Sequence, residues 1–143
     1  MSLVELILAI VVIGVGVSGL LSVFSLVVGR SADPIIQLQM QSIAEEMLEE
    51  IALHPFATAA NTAPAGCARD SFNDVDDYQG YATSGRICTV DGTEIPSLAG
   101  YSVDVTVQPG SLGGVAAARS IVVTVRHGDS TLTLQGWRTD YGS

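Results

Sequence analysis

Few side chains in this sequence have the type and spacing to do chemistry, and the first of them is a carboxylate in apolar company. Glu5 is the only charged residue before Arg30, and residues 6–29 form a run of 24 without a single charge. A carboxylate at the edge of such a run costs on the order of a few kcal/mol in hydrocarbon and is functional by default. Two environments satisfy it. One is the headgroup layer just outside the hydrocarbon. The other is a positive group at the same depth, such as an N-terminal amine at Met1, in the same chain or in the next copy of a staggered stack.

The second candidate is the pair Cys67 and Cys88, set in a polar, loop-like stretch. Two cysteines make no zinc site, which needs four ligands, and the two histidines are not near them in spacing. A disulfide between them would close a loop of about 20 residues, contribute about 3 kcal/mol in the chain-entropy picture, and imply an oxidising compartment. The alternative is two reduced thiols that never meet.

The third is the carboxylate cluster Asp74, Asp76 and Asp77, with Asp70 and Asn73 beside it. Hard oxygen ligands in a loop suit calcium, but the spacing lacks the alternation and distal Glu of an EF-hand. The competing reading is a solvated acidic turn in which Asn73 or Asp74 bonds its own backbone. His54 and His127 stand alone, at a helix end and a hairpin. Nothing resembles a nucleophile elbow or a pre-positioned base, so no enzyme and no organic cofactor are expected.

These residues have to be positioned by two unlike segments. Residues 6–29 would extend about 36 Å as a helix, more than a bilayer core requires. Residues 30–143 read as an acidic globular part. Six arginines and no lysine stand in a chain of net charge −9, and −8 of that falls from Arg30 onward. Such a surface repels phosphate backbones and anionic headgroups, which argues against nucleic acid as a partner.

One long helix of about 80 Å is expected over residues 1–53. Gly14, Gly16 and Gly19 weaken it at about 1 kcal/mol each, and they also permit close approach of another helix. Pro34 should kink or break it. Beyond Pro34, Ile36, Met40, Ile43, Met47 and Ile51 share one face, with Glu45, Glu46, Glu49 and Glu50 largely off it, and His54-Pro55 ends the run. Residues 57–100 show no period and read as a long connection. Three strand-like runs follow within 101–138: Y-S-V-D-V-T-V, R-S-I-V-V-T-V-R and T-L-T-L-Q-G-W-R, the last two joined at His127-Gly128-Asp129. The fold class is therefore α+β, a helix on a small antiparallel sheet. Trp137 and Tyr141 are expected in core or edge packing.

The N-terminus fits neither a secretory signal, which begins with basic residues, nor an ordinary anchor, which takes its orientation from Lys or Arg near its cytoplasmic end. The expectation is a basic leader, removed to leave Met1 first. M-S-L-V-E-L-I followed by a long aliphatic run resembles the mature N-terminus of type IV pilins and pseudopilins, with Met1, Leu3, Val4 and Glu5 matching position for position. The resemblance covers about 30 residues. F-N-D-V-D-D-Y-Q-G and L-Q-G-W-R-T-D-Y resemble segments of pilin-like proteins of mannose-sensitive haemagglutinin pili.

The resemblance implies a lollipop-shaped pilin, cut by a prepilin peptidase and N-methylated at Met1. It would be held in the bacterial inner membrane and then assembled with copies of itself or other pilins into a periplasmic or extracellular filament. The family's helix-breaking proline near position 22 is replaced by Ser22, so unwinding on assembly would fall to the glycines. A major filament subunit and a minor pilin or secretion pseudopilin share all these motifs. A membrane-tethered periplasmic domain is the reading from outside the family.

Overall fold

The computed structural model describes residues 3–30 and 34–140, with the side chains of residues 18–30 outside that description. The chain divides into two compact units, residues 1–34 and 35–143. The first contains one helix, α1 (Leu3–Arg30). Gly14 and Gly16 are helical within it, and a methyl group added at either would meet nothing within 4 Å. The glycine stretch is thus wound here, leaving a bare strip of backbone on the helix. The side chains described for α1 end at Val17, covering about 22 Å of helix at 1.5 Å per residue. Among the described residues no helix is long and apolar enough to cross a membrane. The expected crossing run, residues 6–29, lies in large part outside the described side chains, as does the surrounding of Gly19.

Of the single helix expected over 1–53, the described residues hold two lengths, and residues 31–33 between them lie outside the description. The second, α2 (Pro34–Leu53), begins at its proline. That is where a residue without an N–H is tolerated, since the first-turn donors have no intrahelical partner. Its inward face is the anticipated stripe: Met40, Ile43, Ala44, Met47 and Ile51 are buried and Ile36 partly so. Glu45, Glu46 and Glu49 are exposed. The helix stops at Leu53, before His54-Pro55.

α2 packs on a three-stranded antiparallel sheet in the order β1 (Tyr101–Leu112), β2 (Val115–His127), β3 (Ser130–Thr139). Side chains alternate across a strand, and β1 obeys this closely, burying Tyr101, Val103, Val105 and Val107. Ile121, Val123 and Val125 of β2 continue the same layer, with Leu132 and Leu134 of β3 at its edge. The β2–β3 hairpin turns where expected, closing on the His127–Ser130 pair with Gly128 at φ 55°. The antiparallel pairing of β1 with β2 is as expected, but the sequence reading did not place its turn. It turns at Gly113-Gly114, both at positive φ, which is the backbone pattern of a two-residue type I′ turn. Val115–Ala118 therefore belong to β2, ahead of the run legible in the sequence.

Residues 57–100 are more than a connection. They hold two 3-10 turns, Val75–Tyr78 and Pro96–Leu98, and they send Val75, Tyr78, Tyr81 and Ile87 into the core. They also cover the outer edge of β1. Gly80 N–H donates to Val105 O at 3.1 Å, Val105 N–H to Tyr81 O at 2.9 Å, and Thr83 N–H to Val103 O at 2.9 Å. Removing methylenes from this core leaves a cavity, so Ile51→Ala should lower unfolding free energy by about 2–5 kcal/mol. Leu53→Ala, at an 86% exposed position, should change it by less than about 0.5 kcal/mol. Chemical denaturation of the two variants checks both.

Candidate functional site

Two places in the structure concentrate polar chemistry. The first is Glu5 and its surroundings. Glu5 lies in the first turn of α1, where the partial positive charge of the helix N-terminus favours an acid. Its neighbours Leu3, Val4, Leu6, Ile7 and Leu8 are all more than half exposed, so α1 presents a carboxylate within an open apolar surface. Met1, the expected partner position, lies outside the described residues.

The second is built where the C-terminal end of α2 meets the disulfide loop. Cys67 and Cys88 are bonded, with their Cα atoms 6.2 Å apart, so the open choice between a disulfide and two thiols resolves to the disulfide. Next to it sits Arg69, only 5% exposed. An isolated buried guanidinium would be prohibitively costly, and this one is saturated. Its Nε and Nη2 donate to Glu50 Oε1 and Oε2 at 2.7 and 2.9 Å. Its Nη1 donates to the Tyr81 hydroxyl at 2.8 Å and to Cys88 O at 3.3 Å. The guanidinium carbon lies 5.1 Å from the centre of the Tyr81 ring, a cation–π distance.

The network continues outward. Tyr81 donates its hydroxyl proton to Cys67 O at 3.0 Å, and Tyr78 donates to Glu50 Oε1 at 2.8 Å. The Tyr78 oxygen also lies 3.0 Å from His54 Nε2. With the phenol proton committed to Glu50, that contact requires His54 Nε2 to carry a hydrogen and donate it. One carboxylate, one guanidinium and two phenols thereby join α2, both cysteines' carbonyls and the first 3-10 turn.

The protonation states follow. Burial pushes Glu50 upward, but the hydrogen bonds from Arg69 and Tyr78 outweigh it and hold the carboxyl below its ordinary 4.5. Burial would lower Arg69, yet the bond to Glu50 and the Tyr81 contact raise it instead. Burial raises Tyr78 far above the usual phenol range, and its bond to Glu50 adds to that. Each group is fixed in one state near neutrality, which suits a clamp and not a proton-transfer site.

Beside the clamp runs a cleft of about 280 Å³, lined by Ile43 and Met47 of α2 and by Ile87, Val90, Ile95 and Leu98 of the loop, with Glu46 at its rim.

The acidic cluster does not converge on a point in space. Asp74 Oδ1 accepts from Asp76 N–H at 2.8 Å and Asp77 N–H at 3.2 Å, and its Oδ2 accepts from Ala59 N–H at 2.7 Å. Asp77 Oδ2 accepts from Asn73 N–H at 2.8 Å and Asp74 N–H at 3.2 Å, completing a capping box. Asp76 is held by Arg119 of β2, Nε to Oδ1 at 2.6 Å and Nη2 to Oδ2 at 2.9 Å. The Arg119 hydrogen bond draws the Asp76 carboxyl below its ordinary value.

Among the described residues no group of three acidic, His or Cys side chains could hold a metal ion. The turn that bonds its own backbone is present, but Asp74 is fully buried, not solvated. The His127 and Tyr101 rings pack with their centres 4.2 Å apart and their planes tilted by 40°.

The sequence reading missed Glu50, Arg69, Tyr78 and Tyr81 as a unit. No local signal singled them out: Arg69 stands two positions from Cys67, but Arg86 stands two positions from Cys88 in the same loop and is exposed. Comparison with protein-family models, with curated proteins and with solved structures found no match.

The network fixes a pH dependence. Because the Glu50 carboxyl is lowered on folding, its contribution is present above the unfolded value of about 4.5 and is lost as pH falls through the lower folded value. Urea titrations of wild type and Glu50→Gln should therefore differ at neutral pH and converge as the medium is acidified below that value. Arg69→Met should cost about 3 kcal/mol at pH 7, the lower end for a buried pair, because Glu50 keeps some contact with water.

Proposed function

We propose that this chain is a type IV pilin-like subunit. In this reading residues 6–29 hold it in the bacterial inner membrane, and α1 then joins the helices of other subunits in the core of a filament. The α+β unit is displayed outside. What carries the reading is α1 itself: an acid in the first turn of a helix whose described apolar side chains, from Leu3 to Val17, stand open. Apolar surface of that extent favours lipid or other apolar helices over water. The disulfide adds support, since it belongs to an oxidising compartment such as the periplasm or the cell exterior.

Glu5 is the residue with a specific role here. Surrounded by apolar helices in a filament, its carboxylate needs a matching cation, because an unpaired buried charge costs several kcal/mol. The resemblance assigns that cation to the Met1 amine of the adjacent subunit, and the pairing would fix the axial register. A monomer in the membrane can instead hold Glu5 at headgroup level. Glu5→Val should therefore leave membrane insertion and disulfide formation intact while reducing incorporation into sheared filaments, quantified against wild type. Equal incorporation of the two proteins would remove the pairing mechanism. Stoichiometry in the same filaments separates a major subunit from a minor pilin or pseudopilin.

A further inference from the structure

The two edges of the sheet are treated differently. The outer edge of β1 is covered by residues 79–83 through the backbone bonds given above. The outer edge of β3 receives no backbone hydrogen bond among the described residues. Which groups it presents follows from one bond. Asp140 N–H donates to Ala117 O at 3.2 Å, and the β2–β3 register is unbroken from Ala118–Thr139 to His127–Ser130. Backbone direction alternates along a strand. The even-numbered residues therefore point at β2, and Thr131, Thr133, Gln135, Trp137 and Thr139 aim their N–H and C=O groups outward.

Open edges are usually blunted by lysine, proline, a bulge or inward charges. β3 has no lysine, no proline and no acid over Ser130–Thr139, and the one such device it carries is Arg138, a half-buried charge on the inner face with Leu132 and Leu134. In a chain of net charge −9, a ten-residue acid-free edge is where a second copy meets least repulsion. We infer that β3 pairs antiparallel with β3 of a second copy, about a two-fold axis at Gln135, to make a six-stranded sheet. Only outward-facing residues can form the hydrogen-bonded pairs, and this centre uses all five. Thr133 falls opposite Trp137 of the copy, an aromatic–β-branched pair of the favoured kind, and Leu134 falls opposite Gly136.

Arg138 of the copy falls opposite Leu132. It is then on the face where Glu45, Glu49 and Leu134 line a groove along the edge, so the strand's single cation approaches the helix's carboxylates. The contact is isologous and independent of the filament reading.

Cysteine placement in the full-length chain tests this. Both native cysteines are bonded to each other, so an added thiol has no native partner. Gln135→Cys should cross-link to a homodimer on mild oxidation in detergent or in membranes, and Thr124→Cys, inside the sheet on β2, should not. Thr131→Cys and Thr139→Cys should each stay monomeric alone and cross-link only when mixed. Gln135→Glu, which places two carboxylates at the axis, should lower the dimer fraction severalfold at neutral pH, with recovery in acid. Absence of the Gln135→Cys dimer, cross-linking that ignores position, or a dimer fraction unchanged by Gln135→Glu would overturn the pairing.

Discussion

The arrangement of the acidic unit depends on one buried cation. Arg69 cannot be left without partners in a site 5% exposed, and meeting its demand dictates where several other parts must be. Two of its donors require a carboxylate in bidentate geometry, which places Glu50 and hence the last turns of α2. A third donor requires the Tyr81 hydroxyl and the Cys88 carbonyl, which places the disulfide and the segment that covers β1. The disulfide ties Cys67 to Cys88 covalently, but a closed loop by itself still has freedom to shift. Arg69 converts a tethered loop into a docked one.

Such an arrangement is specific before it is stabilising. A buried ion pair returns little net free energy over well-packed apolar residues, because desolvation offsets most of the attraction. It does exclude alternatives, since any other docking of the loop would strand a charge. Hydrophobic side chains such as Ile87, Ile95 and Leu98 could pack against α2 in several registers. The guanidinium accepts one.

What was legible in the sequence is what repeats at short range. The α2 stripe from Met40 to Ile51, the alternation of β1 and the turn at Gly128 all follow from period and local turn chemistry, and each emerged as expected. The segment 57–100 was not legible, because Tyr78 and Tyr81 are buried by partners far off in sequence: the Tyr78 bond to Glu50 spans 28 positions. Asp74 misled for a related reason. Its own capping geometry could be anticipated, but its burial depends on Ala59 and the packing of the 3-10 turn. At the candidate site, Glu5 and the cysteine pair stood out as residue types in unusual company. The clamp did not, since glutamate, arginine and tyrosine in an acidic domain attract no notice singly.

The two units also differ in how they can associate. Among the described residues, the core of the α+β unit is drawn from Ile36 to Leu134, while Ile35, Leu38, Leu53, Val90, Leu112 and Trp137 stay exposed as scattered apolar side chains. α1 leaves its described apolar side chains open. A helix surface that is apolar over many residues is not self-limiting, because each added helix exposes a further flank to the next. Pairing at the β3 edge has the opposite character. A two-fold contact uses the same strand from both copies and consumes it, and the far edge of each sheet is closed by residues 79–83. Under the proposed pairing, strand addition therefore stops at two, whereas the proposed packing of α1 has no such built-in stop. The two contacts use different surfaces, so under the readings proposed above pairing at β3 does not compete with the packing of α1, whose extent is set by the concentration of its apolar partners.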